Sequence, residues 1–395
     1  MSVMTPARRA AVVELLADLV RLPSVNQSPE QANRDRAEAL VADYVETVLG
    51  ELGMTVERRE VAPGRPNLIG RWDGPAGLPP LTLEAHMDTV GVDEMTVPPF
   101  AAEIRGEVMV GRGTCDTKGS LAAFLMALRV AREEGWRFER PVQMVAAMGE
   151  ETGCEGALAL VAEGAELGWV VVGEPTSCEV VVAHKGALWL EVLAHGRSAH
   201  GSVPSAGRNA ISLMARVLAC LEEHWIPSLA AGRHELLGSP TVNVGLIEGG
   251  EKVNVVPARC RIELDHRVLP GNSAAEVLAE LRGVLRAGLG DEAEMVEVRA
   301  IKPMFPGFAL DPEAPLASRM LAAVRATGTS AEPRGVSYFS DAGPFAAAGW
   351  PTVVFGPGDI RQAHGPEEFV PLAELSRAVD VVVGLLATLR RDVRE

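Results

Sequence analysis

Four short runs in the first 180 residues constrain the fold more than any other feature of this chain: PNLIGRW (66–72), LTLEAHMD (81–88), VQMVAAM (142–148) and WVVVGE (169–174). Each is an apolar stretch of strand length, and a helix-patterned stretch, KGSLAAFLMALRVAREEG (118–135), separates the second from the third. Strands alternating with helices build an α/β sheet with helices on its faces. Three of the four runs nevertheless end on groups that a buried strand should not carry. LTLEAHMD sets His86 and Asp88 two residues apart, on one side of an extended strand. VQMVAAM leads into Glu150 and Glu151, and WVVVGE ends at Glu174. A buried charge is unfavourable unless it is paired or bound to metal.

From about 181 to 295 the texture changes. VVVAHKGALWLEVLAHG alternates like a strand, GRNAISLMARVLACLEEHW reads as a helix, TVNVGLIEGG and ARCRIELDHRVL read as strands, and SAAEVLAELRGVLRAGL reads as another helix. That order suits a small α+β sandwich. The last hundred residues return to the α/β pattern, with a helix near 313–327, a strand PTVVFGP (351–357) and a closing helix near 372–389. A chain of 395 residues exceeds one ordinary core. Two domains are therefore expected: residues 1–180 with 296–395, and an inserted domain at 181–295. The chain opens on an amphipathic helix, with Thr5 as N-cap, Pro6 at the first helical position and Val12, Leu15, Leu16 and Leu19 on one face.

Hydrophobic residues at 47% and charged residues at 23% describe a globular protein. A net charge of −16 argues against a nucleic-acid binder, which needs a basic face. No apolar run approaches the ~20 residues that span a bilayer, and Glu14 and Asp18 interrupt any signal-peptide core. Five cysteines without paired spacing fit a reducing cytosol, so a cytoplasmic protein with no membrane partner is expected.

Two more candidates join the strand-end groups: Asp116, in the Gly-rich turn GRGTCDTKGS before a helix, and His364, after FGPGDIRQAHG. Ligands of open α/β sheets gather beyond the carboxyl ends of strands. Imidazole with carboxylate suits zinc, and also cobalt or manganese. Each signal has a bland counterpart: a satisfied core histidine, a solvated GEE turn, a loop-capping Glu174. GRGTCD lacks the third glycine of a dinucleotide fingerprint, and no G-x-S-x-G elbow marks a serine hydrolase.

The segments EAHMDTV, GRGTCDTKGSLAA, GEETG, VVGEPT, HGRSAHGSVPSAGRNAI, KVNVVPARCRIELDHRV and GPGDIRQAHGPEEFV run nearly end to end. In that order they resemble the di-zinc metallopeptidase family that includes acetylornithine deacetylase, succinyl-diaminopimelate desuccinylase, aminoacylase and the carboxypeptidase G type. The resemblance implies a zinc-peptidase-like α/β domain carrying an inserted α+β lid or dimerisation domain. It implies two divalent metal ions per subunit, with His86 and Glu174 on one, Glu151 and His364 on the other, and Asp116 bridging both. Asp88 would hydrogen-bond the second nitrogen of His86, and Glu150 would be the general base. His200 would reach across a homodimer interface to stabilise the oxyanion, and Asn254 and Arg267 would contact substrate.

The activity implied is removal of an acetyl or succinyl group from an N-acyl amino acid. Glu at position 174 and the EPTS…AHKG context resemble the deacylase branch; a carboxypeptidase or dipeptidase on a short peptide is the alternative. A non-catalytic homologue should have lost Glu150 or a ligand, and none is missing. The chain departs from the family at Thr117 (commonly Met), at Ser120 (KGS for KGG) and at Ser340-Asp341 (for Thr-Asp). The resemblance also implies that the peptide bond after Asp116 is cis. Cys115, Cys154 and Cys178, each close to a proposed ligand in the chain, are read as packing residues rather than ligands.

Overall fold

The computed structural model describes residues 3–26, 37–75 and 77–391. The chain forms two compact units. The first comprises the described residues up to Val182, Leu310–Arg334 and those from Ser340 onward; the second comprises Ala183–Ala309 and Gly335–Phe339.

The first unit is built on a mixed sheet. Its strands lie in the order Thr55–Ala62, Arg65–Trp72, Val142–Ala147, Leu81–His86, Trp169–Val172 and Thr352–Val354, followed by the strand that begins at Val181. The four strands from Val142–Ala147 to Thr352–Val354 are mutually parallel, with antiparallel neighbours outside them. Leu81–His86 and Val142–Ala147 are buried at every residue, as expected when helices cover both faces of a parallel sheet. The covering helix Lys118–Glu133 is itself buried almost all round. It packs on the strand Leu81–His86 and against the helices Pro6–Arg21 and Leu372–Ala387. Pro6–Arg21 begins as its sequence predicts: the Thr5 side chain accepts from the Arg8 N–H, Pro6 opens the helix, and Val12, Leu15, Leu16 and Leu19 are buried.

The second unit is a four-stranded antiparallel sheet in the order Thr241–Gly249, Arg259–Val268, Gly186–His195, Val296–Ala300. The helices Ala210–Cys220 and Ala274–Leu289 share a core with it around Leu190, Val192, Leu213, Val217, Ile262 and Leu281. Ser273 and Glu276 close a capping box on Ala274–Leu289. Two expectations are corrected here. The stretch 181–195 is two strands broken at Lys185, Val181–His184 and Gly186–His195, and only the latter joins this sheet. The unit also continues beyond 295, because Val296–Ala300 pairs antiparallel with Gly186–His195 as an edge strand.

Candidate metal centre and its surroundings

Parallel strands bring their carboxyl ends to one edge of the sheet, and that register assembles the site. His86 is the last residue of its strand, Glu150 and Glu151 open the turn after Val142–Ala147, and Glu174 follows Trp169–Val172. Asp116 arrives on the turn before Lys118–Glu133, and His364 on the loop after Thr352–Val354. The Asp116–Thr117 peptide is cis, as expected, and His364 sits in the left-handed region at φ 59°.

The two oxygens of Asp116 diverge. Oδ1 lies 3.2 Å from His86 Nε2, and Oδ2 lies 3.3 Å from His364 Nε2. Glu151 Oε2 is 3.1 Å from His364 Nε2, and Glu174 Oε1 is 3.8 Å from His86 Nε2. His86, Asp116 and Glu151 each offer a ligand atom within 4.8 Å of the others'. All five sequence-predicted ligands therefore converge. Thr117 donates its hydroxyl to the carbonyl of Gly173 and so ties the Asp116 turn to the strand end that carries Glu174. Ser120 is accommodated because Gly173 and Gly356 face it without side chains; a Cβ on Gly173 would lie 2.7 Å from that of Ser120.

Asp88 is fully buried, but the strand stops at His86, so the two are not strand neighbours on one face. Its carboxylate accepts the backbone N–H groups of Glu150 (3.2 Å) and Glu151 (3.1 Å) and the amide of Asn26 (2.6 Å). His86 Nδ1 lies 3.0 Å from the Asp88 backbone carbonyl and 3.4 Å from its carboxylate. Both contacts favour a proton on Nδ1 and leave Nε2 free to ligate. Asp88 thus orients the imidazole and the turn carrying Glu150 together.

The electrostatics are those of too many acids in too little water. Burial and then the Glu174 charge push Glu150 well above the usual carboxylate range, and burial and then Asp116 do the same to Glu174. Glu151 is pushed up to about 7 by burial and by Asp116. Burial works to raise Asp116 too, but the two imidazoles outweigh it and hold it low. Hydrogen bonds to Asp116 and Glu151 raise His364 to about 10. Glu151 Oε1 is buried without a hydrogen-bond partner. Carboxylates that repel one another, two imidazoles and an orphaned oxygen form a donor set that divalent cations would complete.

Sequence reasoning passed over Glu84. It is wholly buried on the same strand as His86, and neither its oxygens nor those of buried Asp341 find a hydrogen-bond partner. Burial and then Asp341 push Glu84 well up, and burial pushes Asp341 up to about 6. The signal was present: Glu84 precedes His86 by the same two-residue step that drew attention to Asp88. Cys115, Cys154 and Cys178 are buried free thiols, raised chiefly by burial.

His200, Asn254 and Arg267 belong to the second unit. The first two are exposed and adjoin: His200 bridges Val255, and the Gly201 N–H donates to the Asn254 carbonyl at 2.7 Å. His200 Nδ1 accepts the Ser202 N–H at 3.2 Å, so a neutral His200 carries its proton on Nε2, as a donor. Arg267 is half-buried, paired with Asp265 at 3.0 Å and 5.6 Å from the centre of the Phe339 ring.

Comparison with known proteins agrees with this architecture. The chain is 31% identical to an acetylornithine deacetylase of Photorhabdus laumondii, over 95% of this chain and 96% of that one. It is 32% identical to an acetylornithine deacetylase of Proteus mirabilis, over 91% of this chain and 92% of that one. Among solved structures it resembles the aminopeptidase PepT of Bacillus cereus, with a TM-score of 0.78 at 24% identity, covering 96% of this chain and 98% of that one. Residues 82–388 match the model of peptidase family M20/M25/M40, and the chain belongs to that family.

Proposed function

We propose that this protein is a metal-dependent amidohydrolase that removes an acetyl or succinyl group from an N-acyl amino acid of the acetylornithine type. The observation that carries the reading is the divergence of Asp116 between two histidines at the sheet edge where the buried Glu150 also lies. The curated relatives at 31% and 32% identity, both named acetylornithine deacetylase, favour a deacylase over a peptidase.

His86, Asp116 and Glu174 would hold one divalent cation, and Asp116, Glu151 and His364 a second; zinc is the natural choice for this donor set, with cobalt or manganese as substitutes. Such cations supply Lewis acidity, polarising the amide carbonyl and lowering the pKa of water from 15.7 towards ~7. Glu150 takes a proton from the attacking water and returns it to the leaving amine, a dual role that suits a buried carboxylate whose pKa is raised above the usual range. Asp88 keeps His86 and the Glu150 turn in register. His200 Nε2–H donates to the developing oxyanion, Arg267 receives a substrate carboxylate through its planar fork, and Asn254 contacts the substrate. Three ligand carboxylates against two divalent cations leave a net positive centre, which favours an anionic substrate despite the acidic protein.

A homodimer through the inserted unit, with His200 serving the partner's site, belongs to the same proposal. The edge strand Thr241–Gly249 exposes Leu246 and Ile247, a surface that a second copy would cover. Five unpaired cysteines support a cytoplasmic location, and no helix among the described residues is long and apolar enough to cross a membrane. The test is a panel of N-acetylornithine, N-succinyl-diaminopimelate, other N-acyl amino acids and dipeptides, assayed with zinc or cobalt. Preferential turnover of the acyl amino acids is expected. Turnover of dipeptides alone would replace the deacylase reading with the peptidase one.

A further inference from the structure

Outside the ligand set lies a buried ion pair that the chemistry above leaves unused. Glu368 is completely inaccessible, and Arg112 nearly so. One carboxylate oxygen of Glu368 accepts two successive backbone N–H groups, those of Cys115 at 2.8 Å and Asp116 at 2.9 Å. The other oxygen lies 2.7 Å from Arg112 Nη1. The same guanidinium donates to the Gly91 carbonyl at 3.1 Å and, at 3.4 Å, to the carbonyl of Gly365, the residue after His364. The pair therefore joins the turn that presents Asp116 to the loop that presents His364.

A buried ion pair is weak evidence for stability, since apolar residues of similar volume often serve as well. Its value here is geometric: one rigid carboxylate fixes the amide of the very residue whose two oxygens must face two histidines. We infer that Glu368, held by Arg112, is a positioning residue that sets the Asp116 carboxylate and the His364 loop in cation-binding register. This inference rests on the reading that Asp116 and His364 are metal ligands.

The experiment is titration of the metal-stripped full-length protein with Co2+, followed by calorimetry and by the visible absorption of the bound ion, for the wild type, Asp116→Ala, Glu368→Asp, Glu368→Gln and Glu368→Ala. Glu368→Asp keeps the charge but withdraws the acceptor from the two N–H groups, whereas Glu368→Gln keeps the reach. The expected result is a loss of about 10–100-fold in affinity for one Co2+ in Glu368→Asp, with an altered absorption spectrum and native circular dichroism. Glu368→Gln, whose amide oxygen still accepts the two N–H groups while its NH2 faces Arg112, should recover part of that loss. Wild-type affinity and spectrum in folded Glu368→Asp, or equal losses in the Asp and Gln variants that follow their melting temperatures alone, would overturn the positioning role. If Glu368→Ala fails to fold, the Asp and Gln pair still decides. Absence of Co2+ binding by the wild type, or unchanged binding by Asp116→Ala, overturns the metal-site reading and this inference with it. Loss in Asp116→Ala beside none in Glu368→Asp overturns this inference alone.

Discussion

The two units handle charge in opposite ways. In the first, the central strands are buried on both faces, and apart from the buried Thr82, Glu84 and Gln143 their polar groups sit at the strand ends, where the acids collect at one edge. In the second, Arg259–Val268 alternates, with every second residue buried, and its charges spread over the wetter face. There they pair across strands: Glu191 meets Arg299 at 2.8 Å and Arg261 at 3.5 Å. The difference shows how sheet type chooses where chemistry can sit. A sheet covered on both sides concentrates ionisable groups at its rim, and a half-open one disperses and neutralises them.

That contrast can be broken experimentally. The largest effect should come from the crowded edge: Glu150→Gln is expected to lower amide hydrolysis by ~10²–10⁴-fold, while cation content by atomic emission and the melting temperature stay near wild type. A fall in cation content would make Glu150 a ligand rather than a base. In the second unit, His200→Ala should lower kcat by ~10²–10³-fold if its Nε2–H serves an oxyanion, with circular dichroism unchanged; unaltered kcat would leave His200 a surface residue.

A smaller effect concerns a group the second unit does bury. His184 is inaccessible, packed edge-on against Phe308, and burial lowers its pKa to about 4. The unfolded value is ~6.5, so between the two the unfolded chain binds a proton that the folded chain refuses. Stability is therefore full above pH ~6.5 and falls as the pH drops towards 4, by about 2 kcal/mol at pH 5. Urea unfolding of His184→Leu should lose that part of the slope; an unchanged slope would assign the acid sensitivity elsewhere. Smallest of all, Arg299→Ala on the open face should shift the urea midpoint only slightly, without altering turnover. A larger shift would mean that the open face is less forgiving than the contrast requires.

What the sequence disclosed follows the same physics. Three candidate ligands, His86, Glu151 and Glu174, were legible because apolar strands ending in His or Glu are locally anomalous, whereas Asp116 and His364, on a Gly-rich turn and a loop, stood out through the family resemblance of their segments. The Thr5 cap and the buried face of Pro6–Arg21 were legible because caps and helical periodicity are local too. What escaped notice depends on partners distant in the chain. Asp88 reads as a strand neighbour of His86 until Glu150 and Glu151 come to its carboxylate from about sixty residues away. Residues 181–195 read as one strand because nothing within them announces that Val181 pairs with Val354 while Gly186–His195 joins a different sheet. Glu368 looks like one acid in GPEEFV until the N–H groups of Cys115 and Asp116 close on it.

The strand Thr352–Val354 enters the first sheet beside Trp169–Val172, although the two are some 180 residues apart in the chain. During synthesis, then, the early strands and their acids emerge long before the histidine that completes the set. At ~5–20 residues per second, the ribosome needs roughly 10–40 s to travel from Glu174 to His364. On the proposed assignment the ligands of one cation, His86, Asp116 and Glu174, are all made by residue 174, so only the second cation's set would wait for His364, and a transcript cut short before it would yield a polypeptide lacking that one ligand.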